Sequence, residues 1–367
     1  MPHVSGRTGL TSGIAILLTM LCHPALSAAA ADVPADVARY LAGLPVAAAG
    51  PLRDLTAGGV WQDHSRRLGE AWSGFDRRQL SKLRTFAMNQ LVDRRHTALY
   101  FFSGPDFAYA QALFPEASTY VLAGLEPADT FPAADPAKLG ELTLSRVRAS
   151  FETFFDFGMF VTVNMRGSRF AGVPELLAVQ LALTGNAIDD VAFVAVEAGG
   201  HETSYSPAAG RAHGIRITFH DSAGVSKRLY YFSVDLSDAT IAPSGFLEFC
   251  RGLGPADVLL KNASFLLHEN SFSTVRKFLL EDAASIVQDD SGIPIRYFDG
   301  AAWSLRLFGA YRPPPESFSR YGQPELIDFE KRHPPEALDF PAGYYWWIRG
   351  SHLEIAVNKS RSAPPVR

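Results

Sequence analysis

Cysteine is nearly absent from these 367 residues. Only Cys22 and Cys250 occur, too few for a disulfide framework or a cysteine-based metal site. Charge of one sign is lacking as well. The 34 basic and 38 acidic side chains leave a formal net charge of −4, which argues against a dedicated nucleic-acid surface. Beyond the first 31 residues no run reaches the roughly 18 consecutive apolar residues of a membrane helix, so no span is expected in the mature chain. With 47% apolar and 20% charged residues, the biases of disordered, collagen-like and coiled-coil chains are missing too.

Several catalytic motifs are also absent. There is no Gly-x-Ser-x-Gly elbow and no Gly-x-x-x-x-Gly-Lys loop, which speaks against serine hydrolases of that type and P-loop nucleotide sites. Gly252-Leu253-Gly254-Pro255 lacks the third glycine of a dinucleotide loop. His201-Glu202-Thr203-Ser204-Tyr205 begins like a zinc-protease helix, but Tyr205 stands where a second imidazole must share the first one's face. No metal ligand set and no particular cofactor can be assigned.

What is present begins with a leader. Arg7 supplies a positive start, Gly13 to Leu21 a short apolar stretch, and Ala25 to Ala31 several small-residue cleavage sites. That pattern is a secretory signal peptide, residues 1–31, and the expected location is periplasmic or secreted. Leu21 precedes Cys22 where lipid attachment wants a small residue. Cys250 lies in the apolar Phe246-Leu247-Glu248-Phe249 setting of a buried, inert thiol.

Residues 32–75, rich in Ala, Pro and Gly, read as a loosely packed leader, residues 76–357 as one α/β domain, and 358–367 as a flexible tail. An amphipathic helix is predicted over 76–93, where Leu80, Leu83, Ala87 and Leu91 share a face. Thr97–Phe102 and Thr119–Ala123 are continuous apolar runs, the mark of strands buried on both faces as in a parallel sheet. Val191–Val196 is a third such run. Helices are expected over 107–114, 137–155, 173–183, 256–268, 272–282 and 316–330. Ile215–Phe219 and Leu229–Val234 flank Asp221-Ser222-Ala223-Gly224 as a hairpin. Ser285–Gln288, Pro294–Phe298 and Trp303–Phe308 suggest a meander, and Tyr344–Ile348 pairs with Leu353–Val357. The predicted fold is α/β: a mixed sheet with an N-terminal parallel part, C-terminal antiparallel hairpins and helices on both faces.

In open α/β sheets ligands collect beyond the carboxyl ends of the strands. The predicted strand ends carry Ser103 and Asp106, then Glu126, then Glu197 with His201 and Glu202. Such carboxylates divide acid and base roles or hold a divalent cation through oxygen; equally, Asp106 can cap the helix that follows it. On the predicted helix 256–268, Asp257, Lys261, Ser264 and His268 form one polar stripe, a solvated face or a cleft wall in which Lys261 meets an anionic group and His268 moves a proton. Asp289 and Asp290 form a turn, yet adjacent carboxylates repel and call for a basic partner, with Arg306 the leading candidate. Asp106, Glu126, His268 and Asp290 are therefore the candidate catalytic residues, and Ser103, Lys261, Ser264, Asp289 and Arg306 the candidate ligand-binding ones. Tyr344-Tyr345-Trp346-Trp347 is either core or an exposed sugar- or partner-binding patch.

The stretches Phe102-Ser103-Gly104-Pro105-Asp106, Tyr120-Val121-Leu122-Ala123-Gly124-Leu125-Glu126-Pro127 and Gln288-Asp289-Asp290-Ser291-Gly292-Ile293-Pro294 resemble those of a group of uncharacterised exported bacterial proteins, over about residues 75–330. The resemblance implies export and one continuous unit, with no assigned activity. The expectation is a small-molecule cleft at the strand ends, or a hydrolase or transferase built on Asp106, Glu126, His268 and the Asp289–Asp290 pair. Intact mass of secreted material should show cleavage between Ser27 and Ala31; a mature chain retaining Arg7 would contradict the leader.

Overall fold

The computed structural model describes residues 33–91, 95–128, 130–132, 138–160, 170–205 and 212–361; the signal peptide and residues 362–367 of the expected tail lie outside them. A 10-stranded mixed sheet organises the chain. Its strands are β1 (Thr97–Phe101), β2 (Thr119–Gly124), β3 (Ala187–Val196), β4 (Glu202–Ser204), β5 (His213–His220), β6 (Ser226–Ser233), β7 (Ala256–Leu260), β8 (Ala283–Gln288), β9 (Trp303–Gly309) and β10 (His352–Asn358). They lie in the order β4-β3-β5-β6-β2-β1-β7-β8-β10-β9. The central block β6-β2-β1-β7-β8 is parallel. Antiparallel pairs flank it on both sides, so the expected α/β mixed sheet is the observed one.

Alternate residues of each central strand enter opposite cores, as the pleat requires. Tyr100, Tyr120, Leu122 and Leu259 face one cluster, with Phe107, Phe151, Phe154 and Leu176 from the helices covering that side. Leu99, Phe101, Val121, Val258 and Leu260 face the other, with Phe246, Phe278 and Leu279. Both faces are apolar because both are covered. The β5–β6 hairpin turns where it was expected. Asp221 Oδ1 accepts from the amides of Ala223 and Val225 at 3.0 Å each, and Gly224 takes φ +80°, a conformation open to glycine.

Five expectations are corrected. Residues 33–75 are not loosely packed: Val33–Leu41 and Gly59–Phe75 are helices, and they bury Val37, Leu41, Leu68 and Phe75 in the first core. Val191–Val196 belongs to β3, which is antiparallel to both its neighbours. Residues 256–268 are not one helix. Ala256–Leu260 is the strand β7, buried throughout, and only Leu266–His268 makes a short turn. The polar stripe therefore dissolves, and buried Asp257 is satisfied by the Arg95 amide (2.7 Å) and the Ser285 hydroxyl (2.7 Å). The meander gives way to β8 in the parallel block, a single turn at Ile295–Tyr297 and β9 paired with β10. Tyr344–Ile348 is not a strand, because the chain turns there into a short helix, Trp346–Arg349.

Two crossovers fix the site. The chain leaves β1 through the helix Phe107–Leu113 on one face and enters β2 on one side. It leaves β7 through the helix Ser273–Asp282 on the other face and enters β8 on the opposite side. Right-handed connections that part company in this way leave a crevice between the tips of β1 and β7. Leu259, 1% exposed, tests the strand placement. Leu259→Ala should cost about 2–5 kcal/mol in urea unfolding, whereas a loss below about 1 kcal/mol would fit a surface helix instead.

Candidate functional site

The tip of β1 is a tight, heavily braced turn. Phe102 and Gly104 both take positive φ, 60° and 53°. The Ser103 amide donates to Ala123 O on β2 at 3.0 Å, and the Ser103 hydroxyl donates to Gly104 O at 2.8 Å. Gln180, fully buried in the helix Val173–Leu183, clamps the turn from beneath. Its amide nitrogen donates to Pro105 O, and its oxygen accepts from Ala108 N at 3.0 Å.

Asp106 does two jobs at this turn. It is the N-cap of the helix Phe107–Leu113, accepting from Tyr109 N at 3.4 Å. Its other oxygen accepts from the Tyr100 hydroxyl at 3.0 Å and from Lys261 Nζ at 3.1 Å. Lys261 stands at the tip of β7, so this ion pair bridges the crevice between the two diverging strands. Lys261 also donates to Gly158 O and lies 3.9 Å from the centre of the Tyr109 ring. Burial pushes the Asp106 carboxyl above its ordinary range, and Lys261, Tyr100 and the Tyr109 amide pull back against it.

Glu126 follows β2 and is 6% exposed. Its Oε2 accepts from the Tyr231 hydroxyl at 2.8 Å. Gly124 makes this packing possible: a Cβ there would sit 2.6 Å from both Glu126 Oε2 and the Tyr231 hydroxyl.

The loop after β7 completes the site. Asn262, Ser264 and Phe265 take φ of 54°, 53° and 59°, and Asp289 holds them there. Its carboxylate accepts from Asn262 N at 2.9 Å and from the Ser291 amide and hydroxyl at 2.9 and 2.5 Å, while the Ser291 hydroxyl accepts from Ala263 N at 2.7 Å. Tyr344 and Tyr345 close the far side, Tyr345 with φ 59° and its ring 4.6 Å from that of Tyr344.

These parts surround one cavity of about 340 Å³, lined by Ser103, Asp106, Glu126, Lys261 and Ser264 among the sequence candidates. Among the described residues, all five non-glycine positions with positive φ are Phe102, Asn262, Ser264, Phe265 and Tyr345. Four of them line this cavity, and Phe265 adjoins it. Such conformations cost about 1–3 kcal/mol each and persist where the surroundings impose them, characteristically at ligand sites.

Four candidates stand elsewhere. Asp289 braces the β7 loop without lining the cavity. His268 is buried against Asp290 O at 3.2 Å, and burial lowers its pKa to about 4; it is neutral at pH 7 and outside the cavity wall, because the helix meant to align it with Lys261 does not form. Asp290 lies behind the wall, 1% exposed. Its expected partner Arg306 is instead exposed on β9, bonded to Glu336 (2.7 Å) and Gln90 (2.5 Å). Arg349 takes that role, giving Asp290 a two-pronged ion pair at 2.7 and 3.3 Å and donating to Tyr344 O at 3.0 Å. The Glu197–His201–Glu202 group is also apart, since β5 and β6 separate β3 from β2; Glu202 is bonded by Arg216 and by Tyr230 at 2.8 Å. Among the described residues no three His, Cys, Asp or Glu side chains gather as a metal site.

Fold and cavity together define an open, doubly wound α/β protein with a crevice at its topological switch point. No family model, no curated protein and no solved structure matches the chain.

The Asp290–Arg349 pair yields a signed prediction. Burial foremost, with Asp289 alongside, raises the Asp290 pKa to about 6, above the unfolded value of about 3.9. The folded state therefore holds the proton more tightly. This contribution to stability is complete below about pH 4 and disappears as pH rises through 6. Asp290→Asn removes this titration, so its stability relative to wild type should be lower at pH 5 than at pH 8 in urea titrations. A pH-independent difference would contradict this assignment.

Proposed function

We propose that the cavity binds a ribonucleoside that carries no phosphate. The observation that carries this reading is Glu126. In doubly wound folds that bind dinucleotides, an acid about 20 residues beyond the first turn hydrogen-bonds the ribose hydroxyls. Glu126 follows β2, stands 22 residues after Gly104 and lines the cavity.

The absence of phosphate follows from the first turn. A dinucleotide sets its pyrophosphate on glycine amides at the start of the first helix. Here Asp106 caps that helix with its own carboxylate, and the turn between β1 and that helix holds a single glycine, Gly104. A second anion would meet repulsion there, whereas the Asp106–Lys261 pair, neutral in sum, tolerates an uncharged or cationic 5′ substituent. Adenosine and its 5′-thioethers and sulfonium derivatives fit this description. Hydrolysis draws less support, because Asp106 and Lys261 are engaged with each other and His268 and Asp290 lie outside the cavity.

We also propose, on the strength of Arg7, the Gly13–Leu21 stretch and the small residues that follow, that the protein works in the periplasm or outside the cell.

Calorimetric titration tests the ligand. Adenosine or 5′-methylthioadenosine should bind and NAD should bind far more weakly. Glu126→Gln removes a charge-assisted hydrogen bond of about 1.5–3 kcal/mol and should weaken nucleoside binding about 10- to 100-fold. Equal binding of NAD, or a Glu126→Gln variant that is folded and binds normally, would overturn the reading.

A further inference from the structure

The cavity has two unlike ends. Glu126 lies at the β2 end and the β7 loop at the other, with the Asp106–Lys261 pair between them. Phe102, Asn262, Ser264, Leu266, Tyr344 and Tyr345 wall the β7 end. We infer that this end is a second subsite for a small, uncharged, planar aromatic molecule bearing a hydroxyl group. It rests on the proposed function only for what occupies the β2 end.

Charge decides the first property. Among the described residues, Lys261 is the one charged residue contributed from the β7 side of the wall, and it is paired to Asp106 at 3.1 Å. A charged guest would lose its hydration there without gaining a counter-charge. Shape decides the second. The rings of Phe102, Tyr344 and Tyr345 line the cavity. Tyr344 and Tyr345 stand nearly perpendicular, 83° apart with centroids at 4.6 Å. That leaves an aromatic corner in which a flat ring can stack on one face and present its edge to the other.

The polar groups decide the third. The hydroxyls of Ser264 and Tyr345 both lie beside that of Tyr344 among the rings. Asn262 is drawn to Asp289 and Lys261, and Tyr344 O is held by Arg349. These few hydroxyls are left to meet a guest, which matches one or two polar atoms on its ring. A saccharide, with several hydroxyls to satisfy, would bury most of them unpaired.

The backbone supports a built site. Phe102, Asn262, Ser264 and Tyr345 all hold left-handed conformations at this end. Their surroundings are held from outside the cavity or at its rim: Ser103 N on Ala123 O, Asp289 on Asn262 N, Ser291 on the amide before Ser264, and Arg349 on the carbonyl before Tyr345.

Titration with 2-naphthol, followed by its fluorescence, tests the subsite in the full-length protein. Binding should be detected, and Tyr345→Ala should weaken it about three- to tenfold, the size of one aromatic contact. Leu266→Trp fills the space and should abolish it. Cellobiose should not bind. Glu126→Gln should lose adenosine and keep 2-naphthol, so failure of the nucleoside reading and failure of the subsite give different results. The inference is overturned if wild-type protein does not bind 2-naphthol, if Leu266→Trp binds it normally, or if cellobiose competes with it. Should Tyr345→Ala not fold, Leu266→Trp decides alone.

Discussion

The ion pair between Asp106 and Lys261 spans the one place in the sheet where the backbone cannot close the structure. The crossovers from β1 and β7 leave for opposite faces, so neither of them covers the gap between those strand tips. A carboxylate from one tip and an ammonium from the other meet there at 3.1 Å. The pair is nearly buried, with side-chain exposures of 2% and 13%, and removing either partner would strand a charge at a cost of several kcal/mol. Tyr100, Tyr109 and Gly158 O are arranged around it.

The remaining parts of the site extend that bridge. On the β1 side, Gln180 and the Ser103 amide fix the turn that carries Asp106. On the β7 side, Asp289 folds the loop that follows Lys261, and Asp290 with Arg349 ties the Tyr344–Tyr345 segment to the same strand ends. Behind them His352, bonded to Glu354 at 3.0 Å, joins the buried network. Burial opposes its charge, but the Glu354 hydrogen bond and the nearby carboxylates outweigh that and hold its pKa above the ordinary value. Polar groups in this layer bond mainly to one another, which is how a buried network specifies one arrangement of loops.

Much of this was readable from the amino acids. Thr97–Phe102 and Thr119–Ala123 announced strands covered on both faces, and the punctuation after them located Ser103, Asp106 and Glu126 at their tips. The 256–268 segment was not readable in the same way. A short buried strand and a buried helix both present apolar runs, and Lys261, Ser264 and His268 fell by coincidence at helical spacings. Arg349 could not be matched to Asp290, because 59 positions separate them and charge alone does not choose among many arginines. Gln180 did leave a signal: it is the one amide in the apolar run Leu176-Leu177-Ala178-Val179-Gln180-Leu181-Ala182, and a lone polar group on a buried helix needs partners. The left-handed residues left none, since no glycine or asparagine marks Phe102, Ser264, Phe265 or Tyr345.

The account stands on the crevice between β1 and β7 being where a nucleoside sits, with its ribose toward β2. The most direct measurement is a crystal structure of the protein soaked with 5′-methylthioadenosine. The account predicts ribose hydroxyls within hydrogen-bond reach of Glu126 and the 5′ substituent over the Asp106–Lys261 pair. A ligand bound elsewhere, or one seated in the crevice with Glu126 still turned only to Tyr231, would contradict it.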